Sequence, residues 1–496
     1  MVLESLEPKV VWEIFEHVFS VTPRESKKEE KIRAKLKSWI PERAKSLGIE
    51  ISLQEDDVGN ILVKRPASSG MESVPSLLFQ GHMDMVCETD RPEGFDFDND
   101  PIPVQIQVNG EWVDADGTTL GADNAIGTSI ALAVLLDPNL KSGPLEILIT
   151  VDEETGLTGA FALDTDKLVI DSRLLVNIDS GDIGRITIGS AGGGDTTFKK
   201  TLQANDVTGD ATFYELVVAG LFGGHSGVDI HKHRGNANKM IAQILTPIVD
   251  ELNVHLCRWN GGSKHNAITR EATTNFAVET GKSSRTEELL EKARDEILTY
   301  FIELEPDIQI SWEKSSPEPA FSLEESKKII QSIYLLHQGP IAFSPAIAGL
   351  VETSNNVAVV ETNDSEMMVQ MSIRSSVDTE LEVFRKKLAT IGQLTGWEVI
   401  QKTAYPGWKP EPESPFTAFI SSEYQKFVDE EIKISAIHAG LECGIIGSKL
   451  PGMQMVAIGP FMKYLHTPDE KVKISTVGTV YDLLISIVKE IPNANL

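Results

Sequence analysis

The sequence predicts an α/β protein whose main domain is interrupted by an inserted α+β domain. Up to residue 191, short apolar runs alternate with segments of helical periodicity, a pattern typical of a sheet covered by helices on both faces. The next stretch follows the order strand, helix, strand, strand, helix, strand, which is that of a ferredoxin-like unit. At 496 residues the chain is too long for one ordinary core. We therefore expect the main domain to comprise residues 1–191 and 408–496, with residues 192–407 inserted between them.

The first segment begins with amphipathic helices and continues with buried strands. Apolar positions at helical spacing predict helices over residues 8–20 and 27–47. Strand-like apolar runs cover residues 49–53, 60–64, 76–86, 145–151 and 174–178. Residues 125–136 are apolar and nearly free of charge, which predicts a buried helix, and a polar connection rich in Pro and Asp spans residues 88–103.

The inserted segment opens with Gly192, Gly193 and Gly194, which we expect to form a hinge. Strands are predicted over residues 214–219, 254–259, 273–279, 307–313, 355–361, 366–374 and 397–404. Helices are predicted over residues 236–252, 286–303, 323–337 and 379–394. Residues 405–410 read as the linker back to the main domain, which a strand over 453–458 and a helix over 475–491 complete.

Composition and charge exclude several classes of partner. The formal net charge of −29 argues against sequence-independent binding of nucleic acid, which needs clustered Lys and Arg, and it disfavours an anionic membrane surface as well. No uninterrupted apolar stretch is long enough to cross a bilayer, and the N-terminus lacks the pattern of a signal peptide. Cys87, Cys257 and Cys443 are odd in number and far apart, so a disulfide framework is not expected. We therefore expect a cytoplasmic protein.

Three consecutive acids follow the apolar run over residues 145–151. Asp152, Glu153 and Glu154 are closed by Gly156. If the backbone is extended there, neighbouring side chains point to opposite sides, so the two glutamates are suited to different roles. One could bind a cation while the other transfers a proton. The alternative is an acidic loop that caps the start of a helix.

Four more stretches place potential metal ligands at the ends of predicted strands or in loops. They contain His82 with Asp84, then Asp123, Asp179 and His466. In open α/β sheets, sites form outside the carboxyl ends of the strands. His82 and Asp84 are two residues apart on an extended segment, so His82 could bind a metal while Asp84 holds its ring. Each stretch alone is as typical of a structural role, but five in chain order indicate a metal site.

Taken together, these stretches resemble the motifs of a known enzyme family. The matching segments are His82-Met83-Asp84, Gly121-Ala122-Asp123-Asn124, Asp152-Glu153-Glu154-Thr155-Gly156, Asn177-Ile178-Asp179 and His466-Thr467-Pro468. The family is that of the co-catalytic dizinc metallopeptidases, which includes aminoacylases, glutamate carboxypeptidases and bacterial dipeptidases. The segments 223–231, 234–238 and 438–444 are most similar to its dipeptidases, and the resemblance covers essentially the whole chain.

The resemblance implies two Zn²⁺ ions per chain in a zinc-peptidase-like domain with a mixed sheet. Asp123 would bridge the ions, with His82 and Asp179 completing one site and Glu154 and His466 completing the other. Such mixed histidine and carboxylate ligands suit zinc, and Mn²⁺ or Co²⁺ would be accepted as substitutes.

By the same resemblance, a hydroxide that bridges the two ions would attack the peptide carbonyl. Glu153 would act as general base and then as general acid, and Asp84 would orient His82.

The inserted domain is expected to supply substrate contacts as a lid. The resemblance gives His225 the role of stabilising the oxyanion, whereas a surface histidine in a glycine-rich turn is the alternative. Asn266 and Arg374 look like a pair that clamps the substrate, since Arg can bind a terminal carboxylate with two parallel hydrogen bonds. An exposed strand residue is the alternative for Arg374. Glu442 is expected to bind the free amine of the substrate, or else to be a structural acid.

The predicted function is hydrolysis of the peptide bond of short unblocked peptides, with dipeptides of broad sequence, Xaa-His among them, as substrates. The alternatives are an N-acyl-amino-acid deacylase or a carboxypeptidase on the same dinuclear site. A binding protein that has kept the fold without catalysis is a third possibility, against which the full set of ligand candidates argues. The sequence leaves open whether the protein is a monomer or a homodimer.

Overall fold

A computed structural model describes residues 2–201, 203–363 and 366–496, and these form two compact units. The first unit runs as far as Gly189 and resumes at Pro410–Ala436 and Leu441–Leu496. The second comprises Ser190–Lys409 together with Ile437–Gly440. The residues Ile437–Gly440 pack with the second unit although they lie within the predicted third segment.

The first part of the chain alternates helices and strands. Its helices are α1 (Lys9–Ile14), which a π-helical turn (Phe15–Phe19) continues, α2 (Glu30–Ser46), α3 (Ala122–Leu135), α4 (Glu153–Gly156) and α5 (Thr158–Ala162). Its strands are β1 (Ser52–Glu55), β2 (Ile61–Arg65), β3 (Leu77–His82), β4 (Val104–Ile106), β5 (Trp112–Ala115), β6 (Leu145–Thr150), β7 (Leu174–Asn177) and β8 (Arg185–Ser190).

The middle of the chain is richer in strands. They are β9 (Gly192–Thr201), β10 (Ala211–Ala219), β11 (Gly224–His225), β12 (Val254–Gly261), β13 (Ala267–Ile268), β14 (Ala272–Glu279), β15 (Gln309–Lys314), β16 (Gly339–Phe343), β17 (Val351–Thr362), β18 (Glu366–Ser375) and β19 (Glu398–Gln401). The helices are α6 (Ala237–Glu251), α7 (Ser283–Phe301), α8 (Leu323–Leu335) and α9 (Asp378–Leu394).

The last part of the chain completes the first unit. Its helices are α10 (Pro415–Tyr424), α11 (Glu442–Lys449) and α12 (Ile474–Glu490). Its strands are β20 (Lys433–Ile437), β21 (Gln454–Ala457), β22 (Met462–Lys463) and β23 (Lys471–Lys473).

The first unit is built on a mixed sheet. The strand order is β1-β2-β6-β3-β7-β21-β8-β20. The central strands β6, β3, β7 and β21 are parallel, whereas β2 and β8 pair antiparallel with their neighbours in this group. Every residue of β3, β6 and β7 is buried, as is nearly all of α3, because helices cover both faces of a parallel sheet. A separate antiparallel sheet has the order β22-β23-β5-β4.

The second unit contains a larger sheet with the order β15-β10-β14-β12-β17-β18-β9-β19. The elements β10, α6, β12, β14, α7 and β15 follow the predicted strand-helix-strand-strand-helix-strand sequence. Their four strands take the spatial order fourth, first, third, second and pair antiparallel. Met240, Ile244 and Ile248 of α6 pack with Tyr214 and Phe276 of this sheet in the core of the unit.

The predicted glycine hinge is wrong. Gly192, Gly193 and Gly194 are buried in β9 and pair with β18. These positions lack side chains because another part of the chain packs directly against them. A Cβ atom on Gly193 would lie 2.5 Å from the ring of Tyr405. A Cβ atom on Gly192 would lie 2.5 Å from the carbonyl oxygen of Tyr405.

The ends of the elements differ from the prediction at several points. The predicted strand over 76–86 stops at His82. The helix α3 is assigned from Ala122, but Asp123 and Asn124 have non-helical backbone angles, so its regular part starts at the predicted residue 125. The strands β4, β5, β8, β9, β11, β13, β16, β20, β22 and β23 and the helices α4, α5, α10 and α11 were not predicted. Most of them are short and carry little periodicity. Within the described residues, we find no helix with both the length and the apolar composition that a bilayer span requires.

Candidate active site

Three adjacent strands of the first unit end at the same edge of the sheet. β3 pairs in parallel with β6 on one side and with β7 on the other. His82, Thr150 and Asn177 are the last residues of these strands. The chain that follows each strand therefore brings polar side chains to one place.

His82 is fully buried and presents its two ring nitrogens to different groups. Its Nε2 atom lies 3.1 Å from Oδ1 of Asp123 and 3.6 Å from Oδ1 of Asp179. Its Nδ1 atom lies 3.2 Å from Oδ1 of Asp84, which is also fully buried. A histidine held in this way by a carboxylate has its second nitrogen directed at a fixed point, as metal-binding histidines do.

Asp123 lies between two histidines that come from distant parts of the sequence. Its Oδ2 atom is 3.6 Å from Nε2 of His466, and the same nitrogen is 2.9 Å from Oε2 of Glu154. The Asp123–Asn124 peptide bond is cis. Potential ligand atoms of His82, Asp123 and Glu154 all lie within 4.8 Å of one another, so these residues could hold a metal ion.

The acidic turn is helical, which corrects the expectation of an extended backbone. Asp152 has the left-handed conformation with φ of 46°, and α4 begins at Glu153. Glu153 and Glu154 therefore point in different directions because successive helical residues are rotated by roughly 100°. The carboxylate of Asp152 accepts hydrogen bonds from the hydroxyl groups of Thr155 and Thr158 and so supports the turn.

Asp84 joins this turn to His82. Its Oδ1 atom accepts a hydrogen bond from the N–H of Glu153 at 3.1 Å, and its Oδ2 atom accepts one from the N–H of Glu154 at 3.3 Å. Burial opposes ionisation of this carboxyl, but its contacts with His82, Ser26 and the N–H of Glu153 prevail and lower its pKa to about 2. Asp84 is therefore a fixed anion that holds two parts of the site together.

The site concentrates negative charge in a buried space. Burial raises the pKa of Glu153 well above its usual value, and the carboxylates of Asp179, Glu442 and Glu154 add to this effect, opposed by His82. Burial and the charge of Asp123 raise the pKa of Asp179. Hydrogen bonds to Asp123 and Glu154 raise the pKa of His466 to about 10. A bound divalent cation would relieve this repulsion, and the oxygen and imidazole donors are those that such cations take.

Glu470 is a member of the site that the sequence analysis did not single out. Its Oε2 atom accepts hydrogen bonds from the N–H groups of Leu120 at 3.0 Å and Gly121 at 2.9 Å, and its Oε1 atom accepts one from Asp123 at 3.4 Å. Burial raises its pKa to about 7. The position of Glu470, four residues after His466, was the only signal for it in the sequence.

Glu442 lies at the ends of β3 and β6 rather than on the surface. Its Oε2 atom accepts hydrogen bonds from Nε2 of Gln80 at 2.6 Å and from the hydroxyl of Thr150 at 2.8 Å. Its Oε1 atom is buried and has no hydrogen-bond partner among the described residues. Burial raises the pKa of this carboxyl to about 7.

The second unit holds His225 in a defined protonation state. Its Nδ1 atom accepts hydrogen bonds from the N–H groups of Gly227 at 3.0 Å and Val228 at 3.2 Å, so the ring hydrogen of the neutral form is on Nε2. Burial and the charge of Arg374 lower the pKa of His225. His225 is therefore a neutral hydrogen-bond donor at neutral pH, and its side chain is half-buried.

Arg374 belongs to the same group of residues. It is 6% exposed, so the alternative of an exposed strand residue is wrong. Its Nε atom lies 3.4 Å from the hydroxyl of Ser226, and its Nη1 atom donates to the hydroxyl of Tyr405 at 3.1 Å. The carbonyl of Asn266 accepts a hydrogen bond from the N–H of Ser226 at 2.8 Å. The structure thus brings the three predicted residues His225, Asn266 and Arg374 around one loop.

His438 also joins this group, which the sequence motif alone did not indicate. Its Nε2 atom is 2.7 Å from the hydroxyl of Ser354, and Ser354 pairs with Arg374 in the sheet. Gly227 lies so close that a Cβ atom there would be 2.1 Å from the carbonyl oxygen of His438. Burial and the charge of Arg374 lower the pKa of His438 to about 3.

Comparison with known proteins agrees with this geometry. The model of peptidase family M20/M25/M40 matches residues 78–490, a span that includes His82 and His466. The chain is 38% identical over 491 residues, 99% of both sequences, to the cytosol non-specific dipeptidase of Escherichia coli (strain K12).

Solved structures of peptidases are also similar to this chain. The crystal structure of aminoacylhistidine dipeptidase from Vibrio alginolyticus superposes with a TM-score of 0.91 and 36% identity, covering 99% of this chain and 98% of that one. A tripeptidase from Staphylococcus aureus shares the fold, with a TM-score of 0.56 and 17% identity over 98% of this chain and 99% of the other. The chain therefore belongs to peptidase family M20/M25/M40.

Proposed function

We propose that this protein is a metal-dependent dipeptidase that hydrolyses the peptide bond of short unblocked peptides. The observation that carries the proposal is the position of Asp123, whose two carboxylate oxygens face two different histidines. Such an arrangement suits a carboxylate shared by two cations. The names of the two similar proteins, cytosol non-specific dipeptidase and aminoacylhistidine dipeptidase, support peptides of two residues, Xaa-His among them, as substrates.

The metal site would consist of His82, Asp123 and Asp179 on one side and Asp123, Glu154 and His466 on the other. This donor set fits two Zn²⁺ ions, with Mn²⁺ or Co²⁺ as substitutes, because it combines imidazole nitrogens with carboxylate oxygens. The contact between Asp84 and the second nitrogen of His82 fits as well, since it keeps Nε2 free of a hydrogen and available to a metal. When bound, two such ions lower the pKa of water and polarise a carbonyl group.

Glu153 would transfer the proton. It would take a proton from the attacking water and give it to the leaving nitrogen, a role that typically contributes about 10²–10⁴-fold in rate. The raised pKa of Glu153 suits this role, because a buried carboxyl can hold the proton between the two steps. Glu154, its neighbour in α4, is directed at His466 and would remain a ligand.

Substrate recognition would involve residues of the second unit. His225 would donate its Nε2 hydrogen to the oxyanion that forms on the carbonyl oxygen. Arg374 would bind the terminal carboxylate, and Asn266 would assist it, since both residues contact Ser226. In the first unit, the unpaired Oε1 atom of Glu442 would accept a hydrogen bond from the free amine of the substrate.

A panel of peptides separates this proposal from its alternatives. A dipeptidase cleaves a free dipeptide and rejects the same dipeptide with an acetylated amine, which cannot offer a cationic amine to Glu442. An N-acyl-amino-acid deacylase shows the opposite preference, and a carboxypeptidase also removes the last residue of long peptides. Faster cleavage of the acetylated or the long peptide than of the free dipeptide would overturn the proposal.

The proposal also covers the location, the partners and the oligomeric state of the enzyme. The name of the Escherichia coli relative supports a cytoplasmic location. The net charge of −29 supports a role without nucleic acid as partner. We propose a monomer or a homodimer, which gel filtration with light scattering would distinguish.

A further inference from the structure

A short segment before α2 contacts the site at three points. Glu29 occupies the N-cap position of α2, but its side chain does not cap that helix. Its Oε1 atom instead accepts hydrogen bonds from the N–H groups of Lys27 at 2.9 Å and of Asp152 at 3.0 Å. The side chain is 6% exposed. Glu29 therefore holds the backbone of the left-handed residue that precedes Glu153.

Ser26 provides the second contact. Its hydroxyl donates to Oδ2 of Asp84 at 2.7 Å, and its N–H donates to the carbonyl of Met85 at 3.3 Å. The N–H of Met85 in turn donates to the carbonyl of Arg24 at 3.0 Å. The segment thus runs alongside the chain that follows β3 and fixes the orientation of the Asp84 carboxylate.

Arg24 provides the third contact. Its guanidinium group is buried and donates from Nη1 to the carbonyl of Asp84 at 3.1 Å and from Nη2 to the carbonyl of Gly121 at 2.6 Å. These carbonyls belong to the loop after β3 and the loop before Asp123. A Cβ atom on Gly121 would lie 2.2 Å from Nη2, so the glycine is needed to admit the guanidinium. One side chain therefore links two loops that carry proposed metal ligands.

We infer that Arg24, Ser26 and Glu29 form a brace, a set of positioning residues that holds Asp84, Asp123 and the turn of Glu153 and Glu154 in place for metal binding and proton transfer. The inference rests on the proposed function. Together these residues contact the loop after β3, the loop before Asp123 and the turn at Asp152, and none of them is a proposed ligand. Because the contacts are hydrogen bonds to the backbone or to Asp84, the brace sets the geometry of the site without touching the substrate.

The buried carboxylates of Glu29, Asp84 and Asp152 lie within 4.8 Å of one another, which could also describe a further cation site. The hydrogen bonds argue for positioning instead. Donors to Glu29 are two backbone N–H groups, and donors to Asp152 are two hydroxyl groups. Asp84 accepts hydrogen bonds from the hydroxyl of Ser26 and from two backbone N–H groups. Each carboxylate thus already accepts at least two hydrogen bonds from the protein.

The brace is tested by comparing Glu29→Ala, Glu29→Gln and Glu30→Ala in the full-length zinc-loaded enzyme. Glu30 is the exposed next residue and serves as the matched control. The measurements are kcat and KM for a free dipeptide, and zinc affinity by competition with a chromophoric chelator. We expect Glu29→Ala to lower kcat and zinc affinity by about 10–100-fold each, which is the range found when residues that orient metal ligands are removed. The KM of this variant should stay within a factor of about three of the wild-type value.

Glu29→Gln keeps an oxygen that can accept the N–H of Asp152, so we expect it to recover most of the loss. Glu30→Ala should leave all three quantities unchanged. A purely structural role would lower the melting temperature of Glu29→Ala while kcat and zinc affinity stayed at the wild-type values, and that outcome would overturn the inference. If Glu29→Ala does not fold, Ser26→Ala decides, because it removes only one hydroxyl: we expect about a tenfold loss of kcat, and wild-type values of kcat and zinc affinity would overturn the brace.

The two proposals can fail separately. If the wild-type protein binds zinc but does not cleave dipeptides, the proposed function is wrong, while the loss of zinc affinity in Glu29→Ala still supports the brace. If the wild type cleaves dipeptides and Glu29→Ala matches it in kcat and zinc affinity, the brace alone is wrong.

Discussion

Asp123 directs one carboxylate oxygen to His82 and the other to His466. Oδ1 lies 3.1 Å from Nε2 of His82, and Oδ2 lies 3.6 Å from Nε2 of His466. The two histidines are separated by most of the sequence, so this contact joins the beginning and the end of the first unit. The proposed two-metal site depends on this one carboxylate.

Replacing Asp123 by Ala should therefore disturb both metal positions. We expect the zinc content, measured by atomic emission after gel filtration, to fall from two ions to one or fewer per chain. Hydrolysis of a free dipeptide should fall by roughly 10²-fold or more, since metal ligands matter at least as much as the residues that orient them. A variant that keeps two ions and full activity would exclude Asp123 as the bridging ligand.

Asp84 is expected to act through its four contacts. Asp84→Asn keeps the size of the side chain but places an amide N–H₂ where a carboxylate now accepts from Ser26 and two backbone N–H groups and lies 3.2 Å from Nδ1 of His82. We expect kcat and zinc affinity to fall by about 10–100-fold. Asp100→Asn, at an exposed position, is the control. Equal zinc affinity in the two variants would contradict the role of Asp84.

His225 is expected to act as a neutral donor. His225→Ala should lower kcat by about 10²–10³-fold with little change in KM, because an oxyanion contact is made mainly in the transition state. Since burial and Arg374 lower its pKa, His225 stays neutral above its ordinary pKa and for some distance below it. Its protonation should therefore limit kcat only below about pH 6.5. A pH profile of kcat in which a wild-type limb above pH 6.5 disappears in His225→Ala would contradict this assignment.

Arg374 is expected to bind the terminal carboxylate of the substrate. Arg374→Met should raise KM for a free dipeptide by about 10–100-fold, as hydrogen bonds between charged groups are worth about 1.5–3 kcal/mol. KM for the corresponding dipeptide amide, which lacks the carboxylate, should change far less. Arg285→Met, in an exposed ion pair of α7, controls for the loss of charge. Equal increases for the acid and the amide would assign Arg374 a different role.

The sequence was sufficient to predict that the metal-ligand candidates lie close together, because the strands that precede most of them are continuous apolar runs. β3, β6 and β7 are buried throughout, so each ends where the first polar residues appear. The order of the inserted strands and helices could be predicted for a similar reason, since its helices have clear periodicity. The glycines of β9 misled the prediction because glycine is equally compatible with a flexible hinge and with tight packing.

The brace and Glu470 could not be predicted, because their partners are distant in the sequence. Arg24 and Gly121 are 97 residues apart, and Glu470 and Gly121 are 349 residues apart. A single arginine or glutamate beside a helix carries no pattern that distinguishes it from a surface residue. The helical backbone of Glu153 and Glu154 was missed for a local reason, since Asp152 adopts a left-handed conformation that is uncommon outside glycine.

The role of Glu153 is the central claim, and Glu153→Ala tests it most directly. The measurement is kcat for a free dipeptide with zinc content determined on the same sample. Because Glu153 is proposed to transfer the proton and Glu154 to bind the metal, we expect two zinc ions per chain and a fall in kcat of at least about 10²–10⁴-fold. Wild-type turnover in a variant that holds both ions would contradict the proposed mechanism.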